Sequence, residues 1–127
     1  MPAIFQSLRF SDSDVDKYEL DSCLFIDCVF DGYQMDATLL SESSFFRCEF
    51  IKANMYWKDM YRAKFLNCNF TDVDFRGANM TEVIFSKCRL LRCDFSDDNL
   101  GGKTDLSSVE FEDTERIECI YEKANGA

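Results

Sequence analysis

From Leu20 to Leu100 a large apolar residue falls on every fifth position, and each is Leu, Met or Phe. The run reads Phe25, Phe30, Met35, Leu40, Phe45, Phe50, Met55, Met60, Phe65, Phe70, Phe75, Met80, Phe85, Leu90 and Phe95 between those ends. Two residues before most of them stands something small or medium and uncharged, such as Ala63, Cys68, Val73, Ala78, Val83, Cys88 and Cys93. The positions between are mostly polar. A period of five is neither the 3.6 of an amphipathic helix nor the 2.0 of a strand. It is an internal repeat, and it governs the reading of every local propensity.

A second period lies on the first. Cys28, Cys48, Cys68 and Cys88 recur every 20 residues, as do Phe25, Phe45, Phe65 and Phe85. The remaining columns are Leu20, Leu40, Met60, Met80, Leu100 and Met35, Met55, Phe75, Phe95. Like recurs with like every fourth pentad, which predicts a chain that closes one square circuit in 20 residues. Equivalent side chains then stack at the inter-strand spacing of about 4.8 Å, and about five coils stand ~24 Å tall. The central residue and the small residue two places earlier both point inward. Backbone groups pair from coil to coil, so each wall is a parallel sheet without a lateral edge.

Three places depart from the pattern. Tyr18, Tyr33, Lys58 and Asp98 stand where a small inward residue is expected. A buried Lys is costly without a partner, so the backbone is expected to swing out at Lys58, or its ammonium to reach solvent. Gly101-Gly102 inserts one residue, as a bulge or abrupt turn would, and the pentads resume at Leu106 and Phe111. From Asp113 the pattern changes. Ile117, Ile120 and Tyr121 fall at i, i+3 and i+4, which predicts a short helix capped by Asp113 or Thr114 and stopped at Gly126. A stacked rod needs its open end covered. The domain reading is therefore 1–112 for the coil, with 1–19 an irregular first turn and 20–100 regular, and 113–127 for the cap. Phe111, Ile117, Ile120 and Tyr121 are its candidate cap or dimer residues, the dimer forming through an end of the rod.

The segments Ala53-Asn54-Met55, Cys68-Asn69-Phe70, Val73-Asp74-Phe75, Ala78-Asn79-Met80 and Cys93-Asp94-Phe95 resemble the A(D/N)LXX motif of the pentapeptide-repeat family. The resemblance spans about residues 20–100. It implies an all-β, right-handed quadrilateral parallel β-helix, with handedness coming from the resemblance alone. It implies no common catalytic activity.

Composition narrows the chemistry. Thirteen Phe occur in 127 residues, eleven of them on the five-residue register, and Pro2 is the only proline. There is no His, the commonest general base and metal ligand. The seven Cys are not at zinc-ribbon spacings. Six of them fall on small inward positions, where Cys acts as apolar filler; Cys119, in the tail, is the thiol expected to react. Carboxylate pairs such as Asp72/Asp74 and Asp97/Asp98 are common by chance among 24 acids. Catalytic residues, metal and cofactor are therefore all expected to be absent. An odd Cys count and an N-terminus without a signal pattern suggest a reducing, cytoplasmic setting, and no apolar run reaches membrane-span length.

The net charge is −10, which argues against nucleic acid as a partner. Residues 11–36 carry eight acids against Lys17, and residues 94–123 carry ten against three bases; residues 37–93 carry six acids and nine bases. On the outside, Ile26, Phe46 and Leu66 form one apolar column, with Val29 and Ile51 near the same corner. Tyr56, Trp57 and Tyr61 cluster around Lys58. Aromatic and apolar patches of this kind are candidate anchors for a protein partner, or else they ladder on each other and stiffen the wall. The expected function is a non-enzymatic scaffold binding a protein through its outer faces. The alternative is an acidic DNA mimic acting on DNA gyrase or topoisomerase IV, as some proteins resembling this one do.

Overall fold

The computed structural model describes residues 3–10, 22–32, 40–97, 104–121 and 124. The chain runs through twelve short strands. They are β1 Ile4–Gln6, β2 Arg9–Phe10, β3 Leu24–Ile26, β4 Val29–Asp31, β5 Ser44–Phe46, β6 Glu49–Ile51, β7 Lys64–Leu66, β8 Asn69–Thr71, β9 Ile84–Ser86, β10 Arg89–Leu91, β11 Glu110–Glu112 and β12 Glu115–Ile117. The odd strands form one six-stranded parallel sheet, wall 1, and the even strands a second, wall 2. The register repeats at 20: Phe25, Phe45, Phe65 and Phe85 are successive partners on wall 1, and Phe30, Phe50, Phe70 and Leu90 on wall 2. Walls 3 and 4 are held by single bridges, Asn54–Asp74–Asp94–Ile120 and Asp59–Asn79. The square circuit read from the columns is the circuit the backbone makes.

The residue before each central position decides which walls become strands. On walls 3 and 4, among the described residues, it is Ile120 only in the last coil and elsewhere Asp or Asn, at Asn54, Asp59, Asp74, Asn79, Asp94 and Asp105. Its side-chain oxygen accepts the N–H two residues on: Asn54 from Tyr56 at 2.9 Å, Asp59 from Tyr61 at 3.1 Å, Asp74 from Arg76 at 3.0 Å, Asn79 from Thr81 at 3.2 Å and Asp94 from Ser96 at 2.9 Å. Such Asx turns tighten the backbone and compete with a strand ladder. On wall 1 the same position holds Leu24, Ser44, Lys64 and Ile84, and the chain stays extended. Asn69 is the exception, lying in β8 between β6 and β10.

Most described corners turn on a residue in the left-handed region, two places after the central one. Asp27 (φ 54), Arg47 (φ 51), Asn67 (φ 55) and Lys87 (φ 54) form one such file, and Gly32 (φ 63) and Gly77 (φ 67) occupy the same position elsewhere. Non-glycine residues pay about 1–2 kcal/mol for this conformation. The corner N–H groups in turn donate to the next coil, Asp27 to Phe46 O at 2.9 Å and Arg47 to Leu66 O at 3.0 Å. These corners thus contribute to coil-to-coil pairing.

The interior is an aromatic stack. Along wall 1 the rings of Phe25, Phe45, Phe65, Phe85 and Phe111 lie parallel, with centroids 4.7, 4.7, 5.1 and 5.3 Å apart. Neighbouring columns meet edge to face, as Phe65 and Phe70 do at 5.1 Å and 76°. Both geometries suit the ring quadrupole. Cys28, Cys48, Cys68 and Cys88 form the expected file: Cys48, Cys68 and Cys88 each donate S–H to a carbonyl of the coil below, Phe25, Phe45 and Phe65, at 3.2–3.5 Å. Thr114 takes the next place in that file and donates to Phe85 O at 2.9 Å.

Three expectations need correction or placing. At Lys58 the backbone does not swing out: its N–H donates to Met55 O at 3.1 Å, its carbonyl accepts from Asn79 at 2.8 Å, and the residue is buried. The turn bond within its own coil and the pairing to the next coil hold the backbone in place there. Tyr18, Tyr33, Asp98 and the Gly101-Gly102 insertion lie outside the described residues, as does Gly126. Beyond the insertion Phe111 pairs with Phe85 and Arg116 with Leu90, an offset of 26. The insertion is therefore one whole pentad plus one residue relative to the columns, and Leu106 belongs with Met80 rather than above Phe85.

The helical cap is replaced by a further coil. Residues 115–117 form β12, Ile120 bridges Asp94, and no helix occurs among the described residues. Phe111, Arg116 and Tyr121 keep the five-residue spacing, with Val109, Thr114 and Cys119 two places before each. The pairing groups of β10 and Asp94 favour extended backbone over a free helix. Arg116 hides the repeat in the sequence because its central position is charged. In the structure its guanidinium lies 4.1 Å from the Phe111 ring centroid and 5.6 Å from that of Tyr121. The cation lies over the aromatic rings of this last described coil.

Candidate interaction surfaces

Outward positions on wall 1 form two columns beside the buried Phe file. One runs Ile4, Leu24, Ser44, Lys64, Ile84, Glu110; the other runs Gln6, Ile26, Phe46, Leu66, Ser86, Glu112. Ile26, Phe46 and Leu66 are thus brought together in register, each half-buried. A shallow groove of about 190 Å³ lies between the columns, bounded by Ser44, Phe46, Lys64, Leu66, Ile84 and Ser86. Leu24 and Ile84 extend the patch. The sequence shows them too, as apolar residues where walls 3 and 4 carry Asp or Asn. Val29 and Ile51 are on wall 2 in different columns: Val29 pairs with Glu49, and Ile51 with Asp31 and Thr71. Val29 borders the corner shared with wall 1, whereas Ile51 lies at the far edge.

Tyr56 and Trp57 meet at 6.1 Å between ring centroids, and Trp57 is 53% exposed at a left-handed corner. Tyr61 is one wall further on. Arg76 lies over Tyr56 at 5.5 Å and Arg62 over Tyr61 at 5.9 Å. Arg76 also forks onto Asp74, its Nε and Nη2 at 3.0 and 2.9 Å. These rings are therefore partly engaged with cations of their own wall.

The four end residues divide. Phe111 stacks on Phe85 at 5.3 Å and Tyr121 on Phe95 at 5.6 Å, so both face the core. Ile117 and the exposed Ile120 point outward on walls 2 and 3. They form no single stripe, since the segment is not a helix.

Corner columns mix both signs of charge along the rod, two of them in strict alternation and the first below with its bases on either side of the neutral Asn67. One reads Asp27, Arg47, Asn67, Lys87, Asp113; another Glu42, Arg62, Glu82; a third Lys52, Asp72, Arg92, Glu118. Arg47 forks onto Asp27 at 2.8 and 3.1 Å, Arg92 onto Asp72 at 2.8 and 3.3 Å, and Arg62 pairs with Glu82 at 3.4 Å. The Arg47 hydrogen bond holds the Asp27 carboxyl below its usual range, and Arg92 does the same for Asp72.

Among the described residues no group of three or more His, Cys, Asp and Glu is arranged to hold a metal ion. Burial pushes the Cys28 and Cys68 thiols up. Cys119 differs. It is half-buried in the last coil, and the hydrogen bond from Cys93 beneath it, aided by Tyr121 and the charge of Arg116, draws its thiol down to about 6.

A family model described as pentapeptide repeats matches residues 59–97 in eight copies. Residues 59–97 thus carry pentapeptide repeats, and the fold is a parallel β-helix of the kind such repeats form. Similar solved structures include HetL, a pentapeptide repeat protein involved in heterocyst differentiation regulation from Nostoc sp. strain PCC 7120; it is 10% identical over 96% of this chain and 84% of its own, with a TM-score of 0.45. Another is QnrB1, a plasmid-mediated fluoroquinolone resistance protein, 13% identical over 98% of this chain and 72% of its own, with a TM-score of 0.45. A third, Rfr23 from the cyanobacterium Cyanothece 51142, is 11% identical over 94% of this chain and 85% of its own, with a TM-score of 0.24. No curated protein matches the sequence.

Proposed function

We propose that the chain is a non-enzymatic binding scaffold whose partner-facing surface is the outside of wall 1. The supporting observation is the run Leu24, Ile26, Phe46, Leu66 and Ile84 on the outer side of a wall whose inner side is already filled by the Phe stack. The rod's interior is solid with Phe, Met and Leu, and the pockets formed by described residues are shallow surface grooves. A double variant, Phe46→Ser with Leu66→Ser, tests the reading by affinity capture and thermal melting. Capture of a discrete partner is expected to be lost while the melting temperature stays nearly unchanged. A large fall in melting temperature would instead assign these side chains to stiffening the wall.

The DNA-mimic reading has one observation in its favour, the acids Asp105, Glu110, Glu112, Asp113, Glu115 and Glu118 carried by the last coil. Against it, the corner columns below mix acids with bases, whereas duplex DNA presents a charge every ~1.7 Å of axis, all of one sign. A gyrase supercoiling assay separates the readings: neither inhibition nor protection at micromolar protein ends the mimic.

A further inference from the structure

We infer that the occupant of wall 1 is a second copy of the same chain, docked face to face with its rod antiparallel. The inference rests on the reading of wall 1 as an interaction face, and the mixed-sign corner charges carry it further. A two-fold axis lying in the interface, across the rod, sets each corner column against the same column reversed. When all six strands of wall 1 overlap, β3 opposes β9 of the second copy and β5 opposes β7. Glu42 then meets Arg62 of the second copy, Asp27 meets Lys87 and Arg47 meets Asn67, each contact occurring twice. Glu42 and Lys87 enter none of the ion pairs found within the chain among the described residues. No like charges face each other along these two columns.

The apolar columns agree with this register. Leu24 opposes Ile84, Phe46 opposes Leu66, and the larger Ile26 faces the small Ser86. Slipping the second copy by one coil reverses the electrostatics. In one direction Glu42 faces Glu82, Arg47 faces Lys87, Asp27 faces Asp113 and Arg62 faces itself. In the other direction Arg47 and Glu42 each face themselves. A parallel pair, with the axis along the rod, brings Glu42 to Arg47 and Glu82 to Lys87, but it also sets Glu110 against Glu112. Of these arrangements only the antiparallel, fully overlapped pair avoids like charges along both the corner columns and the outward strand columns. The mixing of signs that pairs neighbouring coils within one chain thereby makes the face complementary to itself. Six strands span ~24 Å and each three-residue strand ~10 Å, a flat area well below the ~800 Å² per partner of a standard interface. The dimer is therefore weak and appears with rising concentration.

Sedimentation velocity of the full chain, from micromolar to millimolar at low salt, is expected to show a reversible monomer–dimer exchange that high salt shifts toward monomer. Phe46→Glu should abolish the dimer while keeping a cooperative melt. A zero-length carbodiimide cross-linker should yield a covalent dimer containing an amide between Asp27 and Lys87. Within one chain these residues are three coils apart, ~14 Å, too far for a direct bond, so that peptide reports two copies. A chain that stays monomeric throughout the range overturns the inference, as does a dimer unaffected by Phe46→Glu. A dimer whose cross-link joins Glu82 to Lys87 overturns the antiparallel arrangement. Loss of a captured partner in the Phe46→Ser, Leu66→Ser variant of a strictly monomeric chain would leave the scaffold reading standing and this one refuted.

Discussion

Replacing Phe65 by Ala tests the aromatic stack at its centre. Phe65 is 1% exposed, stacked on Phe45 at 4.7 Å and Phe85 at 5.1 Å, and met edge-on by Phe50 at 5.7 Å and Phe70 at 5.1 Å. Truncating a buried Phe to Ala costs ~3–5 kcal/mol, and each aromatic pair adds ~0.5–1.5 kcal/mol beyond its area. Four ring partners lose contact at once, and the Asp/Asn turns and corner bonds leave the walls little freedom to collapse. The cost should therefore reach the upper end, about 4–5 kcal/mol, a large share of the ~5–15 kcal/mol of a typical domain. Phe46→Ala, one residue on, removes a half-buried ring from the outer face and should cost about 1 kcal/mol, near the ordinary value for a point change. Urea unfolding followed by circular dichroism reads the difference. With a slope of ~1–3 kcal/mol per molar, the midpoint of Phe65→Ala should fall by about 2 M, and that of Phe46→Ala by well under 1 M. Equal midpoints for the two variants, or a fall for Phe65→Ala of less than ~1 kcal/mol, would refute the account of the core. Phe65→Leu should lie between, since Leu90 already occupies the equivalent central position of wall 2.

Further outcomes follow from the walls, the corners and the last coil. In native protein Cys119 should react with iodoacetamide ahead of the six buried thiols. Its lowered thiol ionises as pH rises, so the rate should climb through about pH 6 and then level; Cys119→Ser should remove the fast phase, and an unchanged fast phase would reassign it. Asp59→Ala removes the acceptor for Tyr61 N–H and for the Asn79 amide at 3.1 Å. It should lower stability by about 1 kcal/mol in urea, whereas Asp59→Asn should cost little. At the left-handed corner of Lys52 (φ 52), Lys52→Gly should hold or raise the urea midpoint, while Lys52→Val should lower it by ~1–2 kcal/mol relative to Gly. Equal midpoints for that pair would show that the corner carries no strain.

How much was legible in the sequence depends on whether a position's role is fixed by its neighbours along the chain or by the coil above it. The Phe at every fifth place, the Cys every twentieth and the Asp or Asn before Met55, Met60, Phe75 and Met80 are local regularities repeated many times. Ile26, Phe46 and Leu66 were visible as an outer column for the same reason. The tail misled because one repeat carried Arg116 at its centre, and Ile117, Ile120 and Tyr121 happened to match helical spacing. Backbone pairing to β10 and Asp94 outweighs that coincidence. Lys58 misled in the opposite sense, since its backbone is held by a turn bond to Met55 and by pairing to Asn79 of the next coil.

The amino-acid order by itself determined the square circuit, its period and its aromatic filling, because these arise from a pattern of side-chain volumes that only one coil geometry can bury. Tertiary structure alone decided which corner charges pair between neighbouring coils. It also decided that the register shifts by a full pentad and one residue after Phe95, and that residues 110–121 make a further coil with Arg116 over the Phe111 and Tyr121 rings. Those features depend on what lies one coil away, about 4.8 Å in space but 20 or 26 residues along the chain, where no local pattern reaches.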